Sequence, residues 1–241
     1  MEKDLIIDQS PLGKPTVYRG EYNPDLLFPI ARSPFRKDLG IESSLPFYGH
    51  DLWNAYELSW LDNKGKPISA IAQFLFPCTS PNLIEAKSFK LYLNSFHQTR
   101  LNDLDTITGI IKKDLSVCAG SEILLEIAPL TTIHSCELGR PHGFCLDNLD
   151  IEVDEYQVNP SLLKTEIAET TEAVYSDIFK SNCLGTGQPD WGTIVIQYSG
   201  KKINHESLLK YLISFRQHKE FGEHCVERIF MDIWRCCQPV N

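Results

Sequence analysis

The apolar pattern of the chain occurs twice, and this repeat limits the possible folds more than any other feature of the sequence. A shift of 119 positions superposes five identical residues within a stretch of seven, in two segments that are predicted to be amphipathic helices. The alternative is that two such helices resemble one another by chance. We predict two modules of the same topology. The identical pairs are Tyr92 and Tyr211, Leu93 and Leu212, Ser95 and Ser214, Phe96 and Phe215, and Gln98 and Gln217, and the same shift places Tyr56 on Tyr175.

The first module is predicted to contain a hairpin, two helices and two further strands. Asp62-Asn63-Lys64-Gly65 is a turn signal between two runs rich in apolar and aromatic residues, which is typical of a β-hairpin. Ser80-Pro81-Asn82 favours a helix start, and apolar residues then recur at helical spacing in two segments. The predicted strands cover residues 52–60, 68–76, 123–130 and 151–156, and the predicted helices cover residues 83–100 and 104–117.

The same order begins again in the second half and stops before it is complete. Strands are predicted at 171–179 and 193–198, and helices at 206–216 and 223–236. A two-stranded antiparallel sheet cannot cover two amphipathic helices, and it exposes an edge. Either the chain is a fragment or a partner supplies the cover. The predicted α+β fold comprises a proline-rich extended arm over residues 1–45, a first module over 46–158 and a second over 159–241.

Composition excludes two classes of partner. The net charge is −9 and no run of Lys and Arg is dense enough to follow a phosphate backbone, so no nucleic-acid partner is expected. No apolar stretch approaches the roughly 20 residues of a membrane span. The N-terminus has acidic residues and only a short apolar piece, unlike a signal peptide. The eight cysteines are therefore predicted to be reduced thiols of a cytoplasmic protein.

The stretch KSNCLGTGQPDW, residues 180–191, carries the most reactive combination of side chains in the sequence. Gly185, Gly187 and Pro189 break regular structure, so Cys183 is predicted on a loop, where functional groups often lie. A thiol can attack an electrophilic carbon, and a nearby carboxyl group such as Asp190 can pass the proton that this attack requires. The alternative is that the cysteine is a small buried hydrophobic residue.

Three stretches together resemble one family. KSNCLGTGQPDW at 180–191, EAKSFKLYLNSFHQTR at 85–100 and FGEHCVERIF at 221–230 are similar to the NADPH-dependent 7-cyano-7-deazaguanine reductases, the nitrile reductases of queuosine biosynthesis, in their long two-module form. The resemblance implies two tandem tunnelling-fold modules of ββααββ order, with antiparallel sheets and helices on one face, the second incomplete at its C-terminus. It also implies a homo-oligomer, a dimer, because such open sheets bury their edges against other subunits.

The resemblance implies a role for each residue of the site. Cys183 would form a covalent thioimide with the nitrile of 7-cyano-7-deazaguanine. Asp190 would act as acid and base while two hydrides, from two NADPH molecules, reduce the adduct to the amine. A carboxylate can accept the paired N–H donors of a deazaguanine. The implied substrate-binding residues are Ile84, Glu85, Ala86, Gly222 and Glu223, and the implied cofactor-binding residues are Ala86, Lys87 and Lys90.

These binding residues also have simpler interpretations. Glu85 and Glu223 could each be a first-turn helix acid that the helix dipole favours. Lys87 and Lys90 could be a solvated pair on one helix face. The glycine-rich turn lacks the third glycine and the βαβ setting of a dinucleotide-binding motif, so the cofactor assignment depends on the resemblance alone.

The chain departs from the family pattern in three places. Ala86 stands where a serine is common, Gly222 stands where a histidine is common, and the usual C-terminal strand pair does not follow Pro239. Each lost polar contact to a transition state typically costs about 2.7–4 kcal/mol. The alternative function is therefore a non-catalytic or degenerate relative that still binds a deazaguanine.

No metal site is predicted. His134, Cys136, His142 and Cys145 lie within twelve positions, but their spacing matches no closed zinc motif, and Pro141 indicates a plain loop. A third possible function, hydrolysis of a purine or pterin on the same fold, would require a bound metal.

Overall fold

The computed structural model describes residues 2–18, 20–132 and 139–240. The chain forms two compact units, residues 1–137 and 138–241, and each is described by itself. The predicted module boundary at residue 158 lies about twenty residues later than this division. It falls in a part of the second unit where the regular elements are only two or three residues long.

The N-terminal segment is more regular than an extended arm. Helix α1 spans Glu2–Gln9, strand β1 spans Pro29–Ala31 and helix α2 spans Ser33–Asp38. Ile30 and Phe35 are each 1% exposed, so the segment contributes to the interior of the first unit. Its prolines permit this structure, because proline is tolerated in the first turn of a helix and at the start of an edge strand.

The predicted hairpin is confirmed. Strand β2, His50–Leu61, pairs antiparallel with strand β3, Pro67–Pro77. Asp62 closes the turn, because its Oδ1 accepts hydrogen bonds from the backbone N–H groups of Lys64 and Lys66, each over 2.9 Å. Aspartate is favoured in turns because its side chain can bond the backbone in this way.

The first predicted helix is shorter than expected at both ends. Asn82–Ile84 form strand β4, which pairs antiparallel with β1. Helix α3 therefore spans only Ala86–Asn94. The start signal at Ser80-Pro81-Asn82 is overridden because hydrogen bonds to β1, a strand distant in sequence, satisfy the backbone of these residues as a helix would have done.

The remaining elements of the first unit agree with the prediction. Helix α4 spans Leu104–Ala119, and strand β5, Leu124–Pro129, pairs antiparallel with β3. The sheet order is β2-β3-β5. Sheet and helices share one core of buried apolar side chains, several of which are at most 1% exposed. Among them are Trp60, Phe74, Tyr92 and Phe96.

The second unit is built on a long hairpin. Strand β6 is Phe144–Cys145, β7 is Thr165–Asn182 and β8 is Pro189–Ile203. The pairing of β7 with β8 is antiparallel, and that of β6 with β7 is parallel. Helix α5, His205–Ile213, and helix α6, Gly222–Cys237, follow and share a core with the hairpin. The strand, strand, helix, helix order is thus the predicted one.

Residues 151–156 are not a strand, and that prediction is wrong. Their side chains do alternate between half-buried and exposed, and Ile151 packs against the core of the second unit. A strand also needs ladder hydrogen bonds to a neighbour, and this segment has no regular structure. Alternation in the sequence therefore indicates which side chains are buried, but it does not show which backbone groups are paired.

The same tyrosine–aspartate hydrogen bond occurs in both units. The hydroxyl of Tyr92 on α3 donates to Oδ2 of Asp114 on α4 over 2.7 Å, and the hydroxyl of Tyr211 on α5 donates to Oδ2 of Asp232 on α6 over 2.7 Å. Burial, followed by the neighbouring carboxylate, raises the pKa of both tyrosines, so each hydroxyl stays protonated and acts as the donor. The same polar contact therefore joins the two helices of each unit.

A second repeated feature is visible only in the structure. In each unit an asparagine that precedes a proline opens a short 3-10 turn. Its backbone N–H donates to the hydroxyl of the serine that ends a helix. Asn23 bonds Ser95, the C-cap of α3, over 3.2 Å, and Asn159 bonds Ser214, the C-cap of α5, over 3.3 Å. The two asparagines are not related by the 119-residue shift, because the loops between them and the helices differ in length.

Antiparallel sheets packed with a few helices make this an α+β fold. None of the described helices is both long and apolar enough to span a bilayer.

Candidate active site

Cys183 lies in the turn between β7 and β8. Its backbone N–H donates to the carbonyl oxygen of Gln188 over 2.8 Å, and its own carbonyl accepts from the N–H of Gly187 over 2.9 Å. Gly187 has a φ of +69°, a left-handed conformation that glycine adopts without a steric penalty. The cysteine is half-buried, and two backbone bonds hold it at the end of the hairpin.

Asp190 is on the same face of the hairpin as Cys183. Ser181 and Asp190 are direct partners in the β7–β8 ladder, and directly opposed side chains share a face. Cys183 follows Ser181 by two residues, so strand alternation directs its side chain to this face as well. Asp190 is exposed. The hairpin register therefore assigns the thiol and the carboxyl group that the sequence singles out to one face of the hairpin.

The chain segment that leads into α6 runs beside the end of β7. The N–H of Asn182 donates to the carbonyl of His218 over 2.8 Å, and the N–H of Glu220 donates to the carbonyl of Asn182 over 3.2 Å. Helix α6 begins two residues later. Its first turn is thereby held next to the residue that precedes Cys183.

Gly222 and Glu223 form the first turn of α6. Phe221 is the N-cap residue, and its side chain makes no capping hydrogen bond. A Cβ at Gly222 would meet no described atom within 4 Å, which leaves room for a larger residue. Glu223 is half-buried, and the helix dipole stabilises a carboxylate at this position. This placement is compatible both with a first-turn helix acid and with a substrate contact.

A buried ion pair next to the turn was not predicted from the sequence. Glu220 is 3% exposed. It accepts hydrogen bonds from Nε and Nη2 of Arg228 over 2.8 and 2.9 Å, and its Oε2 lies 2.8 Å from Nε2 of His218. Burial by itself raises the pKa of Glu220, but the bonds from Arg228 and His218 outweigh burial and lower the pKa to about 2. Glu220 is therefore ionised.

A signal for this pair does exist in the sequence. Arg228 lies three residues from each of two buried side chains of α6, Cys225 and Met231. A charged residue at the border of a buried helix face needs a partner of opposite charge. The sequence does not say which of the many carboxylates supplies it.

The ion pair does not suit a metal ion, although His218, Glu220 and Cys225 place possible ligand atoms within 4.8 Å of one another. Both oxygens of Glu220 already bond Arg228, and that positive charge repels a metal cation. Burial raises the pKa of the Cys225 thiol to about 12, so the thiolate that metal binding requires is not formed near neutral pH.

Two of the residues weighed as zinc ligands, His134 and Cys136, lie outside the described residues. Cys145 is half-buried in β6 and hydrogen-bonds the hydroxyl of Tyr175.

In the first unit, Glu85 is the N-cap of α3. Its Oε1 accepts from the N–H of Lys87 over 2.9 Å, and its Oε2 accepts from the N–H of Ser88 over 2.7 Å. The residue is 2% exposed. The geometry therefore agrees with the simpler interpretation, a residue that stabilises the helix start. Ile84, the neighbouring substrate-binding prediction, is 6% exposed and belongs to the core.

Lys87 and Lys90 contact different partners. The ammonium of Lys87 donates to the carbonyl of Pro11 over 3.2 Å and also to the carbonyl of Lys14. The ammonium of Lys90 lies 3.5 Å from a carboxylate oxygen of Glu57, in a largely exposed pair that contributes little to stability. The two lysines are therefore not one solvated pair.

Ala86 and Lys90 line a cleft of about 370 Å³ that α3 forms with β2. Trp53, Tyr56 and Asn94 also line it. Aromatic rings can stack on a nicotinamide or an adenine, and a lysine can meet a phosphate. The residues fit part of a dinucleotide such as NADPH, and the volume is within the usual range for a ligand pocket.

Comparison with known families defines the class of protein. A family model described as "Nitrile reductase, 7-cyano-7-deazaguanine-reductase N-term" matches residues 18–127, and one described as "QueF-like protein" matches residues 189–241. The first match includes the cleft and Glu85, and the second includes Asp190 and α6. The class is that of the nitrile reductases.

Curated relatives are similar over nearly the whole chain. The NADPH-dependent 7-cyano-7-deazaguanine reductase of Dechloromonas aromatica is 53% identical over 232 residues, which are 95% of this chain and 82% of that protein. Proteins of the same name from Aromatoleum aromaticum and Legionella pneumophila are each 52% identical, over 96% and 97% of this chain and 83% of their own length. The chain belongs to the NADPH-dependent 7-cyano-7-deazaguanine reductase family, as the resemblance predicted.

Proposed function

We propose that this protein reduces the nitrile of 7-cyano-7-deazaguanine to the aminomethyl group, with Cys183 as nucleophile, in queuosine biosynthesis for tRNA modification. The observation that supports this most directly is the common face of Cys183 and Asp190 on the β7–β8 hairpin. Family membership gives the reaction class and the dependence on NADPH. The overall reaction consumes one nitrile, two NADPH and two protons, and it produces one amine and two NADP⁺.

The first step is addition of the thiol across the C≡N bond. Sulfur of Cys183 bonds to carbon, one carbon–nitrogen π bond breaks, and the nitrogen takes a proton, which produces a thioimide. Asp190 is the group on the same face that can deliver a proton to this nitrogen and later exchange protons with it. NADPH supplies the two hydrides. When the second carbon–hydrogen bond has formed and the carbon–sulfur bond has broken, the thiol is regenerated.

Substrate-binding residues are assigned within each unit separately. Glu223, at the half-buried start of α6, can accept the paired N–H donors of the deazaguanine. Gly222 leaves open space beside it. Glu85 uses one lone pair of each oxygen for its helix cap, and each oxygen keeps a second lone pair for a ligand. Ile84 and Ala86 flank it. We assign the buried Ile84 to the substrate through its backbone and the exposed Ala86 through its surface.

Cofactor binding is assigned to the start of α3. Ala86 and Lys90 line the cleft with Trp53 and Tyr56, and Lys90 would meet a phosphate. Lys87 would also meet a phosphate, once its hydrogen bonds to the carbonyls of Pro11 and Lys14 are replaced by bonds to the ligand.

The finer architecture follows from the same proposal. We assign to the chain two tunnelling-fold modules, residues 46–158 and 159–241. We further propose that it forms a homodimer in the cytoplasm, where the cysteines stay reduced. Open sheet edges such as that of β2 are the surfaces through which such modules join. No nucleic acid takes part, given the net charge of −9.

The alternative is a relative that binds the nitrile without reducing it. Ala86 and Gly222, which replace a serine and a histidine of the family pattern, favour it. The decisive measurement is intact mass after mixing the protein with 7-cyano-7-deazaguanine, with and without NADPH, alongside Cys183→Ala. A Cys183-dependent adduct that disappears with NADPH while amine appears supports the reductase. A persistent adduct supports the alternative, and normal turnover by Cys183→Ala contradicts the mechanism.

A further inference from the structure

One buried carboxylate, Glu220, connects the end of β7 to helix α6. On the strand side, the backbone N–H of Glu220 donates to the carbonyl of Asn182. The backbone N–H of Asn182 donates in turn to the carbonyl of His218. The side-chain amide of Asn182 also donates to the carbonyls of Arg216 and His218 over 3.2 and 3.1 Å. The residue that precedes Cys183 is therefore bonded on three sides to the segment that carries Glu220.

On the helix side, the Glu220 carboxylate forms a two-bond fork with Arg228, in the second turn of α6. A bidentate guanidinium–carboxylate pair fixes orientation as well as distance. His218 provides a third contact to the same carboxylate. Since α6 begins only two residues after Glu220, the fork determines where the first turn of the helix, with Glu223, lies relative to the end of β7.

We propose that Glu220 is a positioning residue: with Arg228 it holds Glu223 at the correct distance from Cys183. This inference rests on the function proposed above. Glu220 itself is 3% exposed, and its two oxygens make three polar contacts, with Arg228 and His218. Its effect is transmitted through the first turn of α6. A displacement of about 1 Å at a reacting centre can cost on the order of a hundredfold in rate.

The test is Glu220→Gln, which keeps the shape of the side chain and removes the charge that Arg228 binds. We expect thioimide formation at low nitrile concentration, without NADPH, to slow at least about tenfold, mainly through weaker nitrile binding. Alkylation of Cys183 by iodoacetamide, followed on the peptide that carries it, should change less than about threefold, because the thiol itself is intact. A merely structural role would change both rates together or neither.

The matched control is Glu172→Gln. Glu172 also pairs with a histidine, His205, and accepts a bond from Tyr198 in the same unit. It lies eleven residues before Cys183 on β7, about 35 Å along the strand. This variant should form the thioimide at the wild-type rate.

Arg228→Lys and the double variant Glu220→Gln/Arg228→Met provide independent tests. Arg228→Lys keeps the charge but loses the fork, so it should also slow thioimide formation. The double variant should be no slower than Glu220→Gln alone, because the two residues act through one contact. If the wild type forms an adduct and both single variants match its rate, Glu220 has no positioning role. If the wild type forms no adduct, the proposed function is wrong, and this inference is overturned with it.

Discussion

Ser181 on β7 lies directly opposite Asp190 on β8, and this pairing places Asp190 on the face that carries Cys183. In the sequence, Cys183 and Asp190 are separated by a glycine-rich turn whose shape the residues alone do not determine. The backbone bonds between Cys183 and Gln188 and between Gly187 and Cys183 close that turn and set the register. A hairpin shifted by one residue would move the carboxyl group to the opposite face.

Asp190→Asn is expected to retain the fold and to slow nitrile reduction about a hundred- to a thousandfold, because the carboxyl group that exchanges protons with the nitrogen is lost. The side chain is exposed, so folding should be unaffected. Steady-state NADPH oxidation measures the effect. Asp177→Asn, on the same hairpin, is the control, since Asp177 accepts a bond from Thr193 and has no part in the proposed chemistry. An unchanged rate for Asp190→Asn would remove Asp190 from the mechanism.

Gly222→His is expected to fold normally and to increase the rate of reduction. A Cβ at this position meets no described atom within 4 Å, and a histidine there would add a group that can donate a proton or a hydrogen bond near the nitrile. The gain is expected to be on the order of tenfold or more in kcat, measured by NADPH oxidation. Gly222→Gln, which adds a side chain of similar size that does not titrate, is the control. Equal rates for the two variants would contradict an acid–base role at position 222.

Glu85→Ala is expected to destabilise the protein by about 1 kcal/mol, because the N–H groups of Lys87 and Ser88 in the first turn of α3 lose their acceptor. Asn204→Ala removes the corresponding cap of α5, which bonds Ser207 over 3.0 Å, and should cost a similar amount. Urea unfolding measures both free energies. Glu85→Gln retains one acceptor oxygen, so a variant that is stable but binds the nitrile poorly would show that Glu85 also contacts substrate.

Acid is expected to destabilise the second unit through Glu220. Its pKa is about 2 in the folded protein against a usual 4.5, so the carboxylate stabilises the fold above about pH 4.5. This contribution is lost as the pH falls towards 2, because a proton then binds the unfolded chain more readily than the folded one. The difference corresponds to about 3 kcal/mol. Urea unfolding at a series of pH values should show a shallower slope between pH 2 and 4.5 for Glu220→Gln than for the wild type, and equal slopes would contradict this assignment.

Local signals predicted the elements whose partners lie nearby in the chain. The hairpin of the first unit is closed by Asp62, one residue after β2 ends, and α4 is capped by Asp103, immediately before it. Elements that depend on distant partners were predicted less well. Asn82–Ile84 became a strand because β1, about fifty residues earlier, pairs with it. Residues 151–156 have a strand pattern but no regular structure.

The sequence by itself determined the family, and it predicted the repeat and the pair Cys183 and Asp190, because each of these depends on residue identity at a given spacing. Only the tertiary structure decided that Glu85 caps α3 with both oxygens and that Glu220 binds Arg228 beside the end of β7. The chain contains 32 acidic residues, and charge alone does not distinguish one of them from another in the sequence. Which of them becomes a buried partner depends on the backbone path that brings a particular N–H or guanidinium within hydrogen-bonding distance.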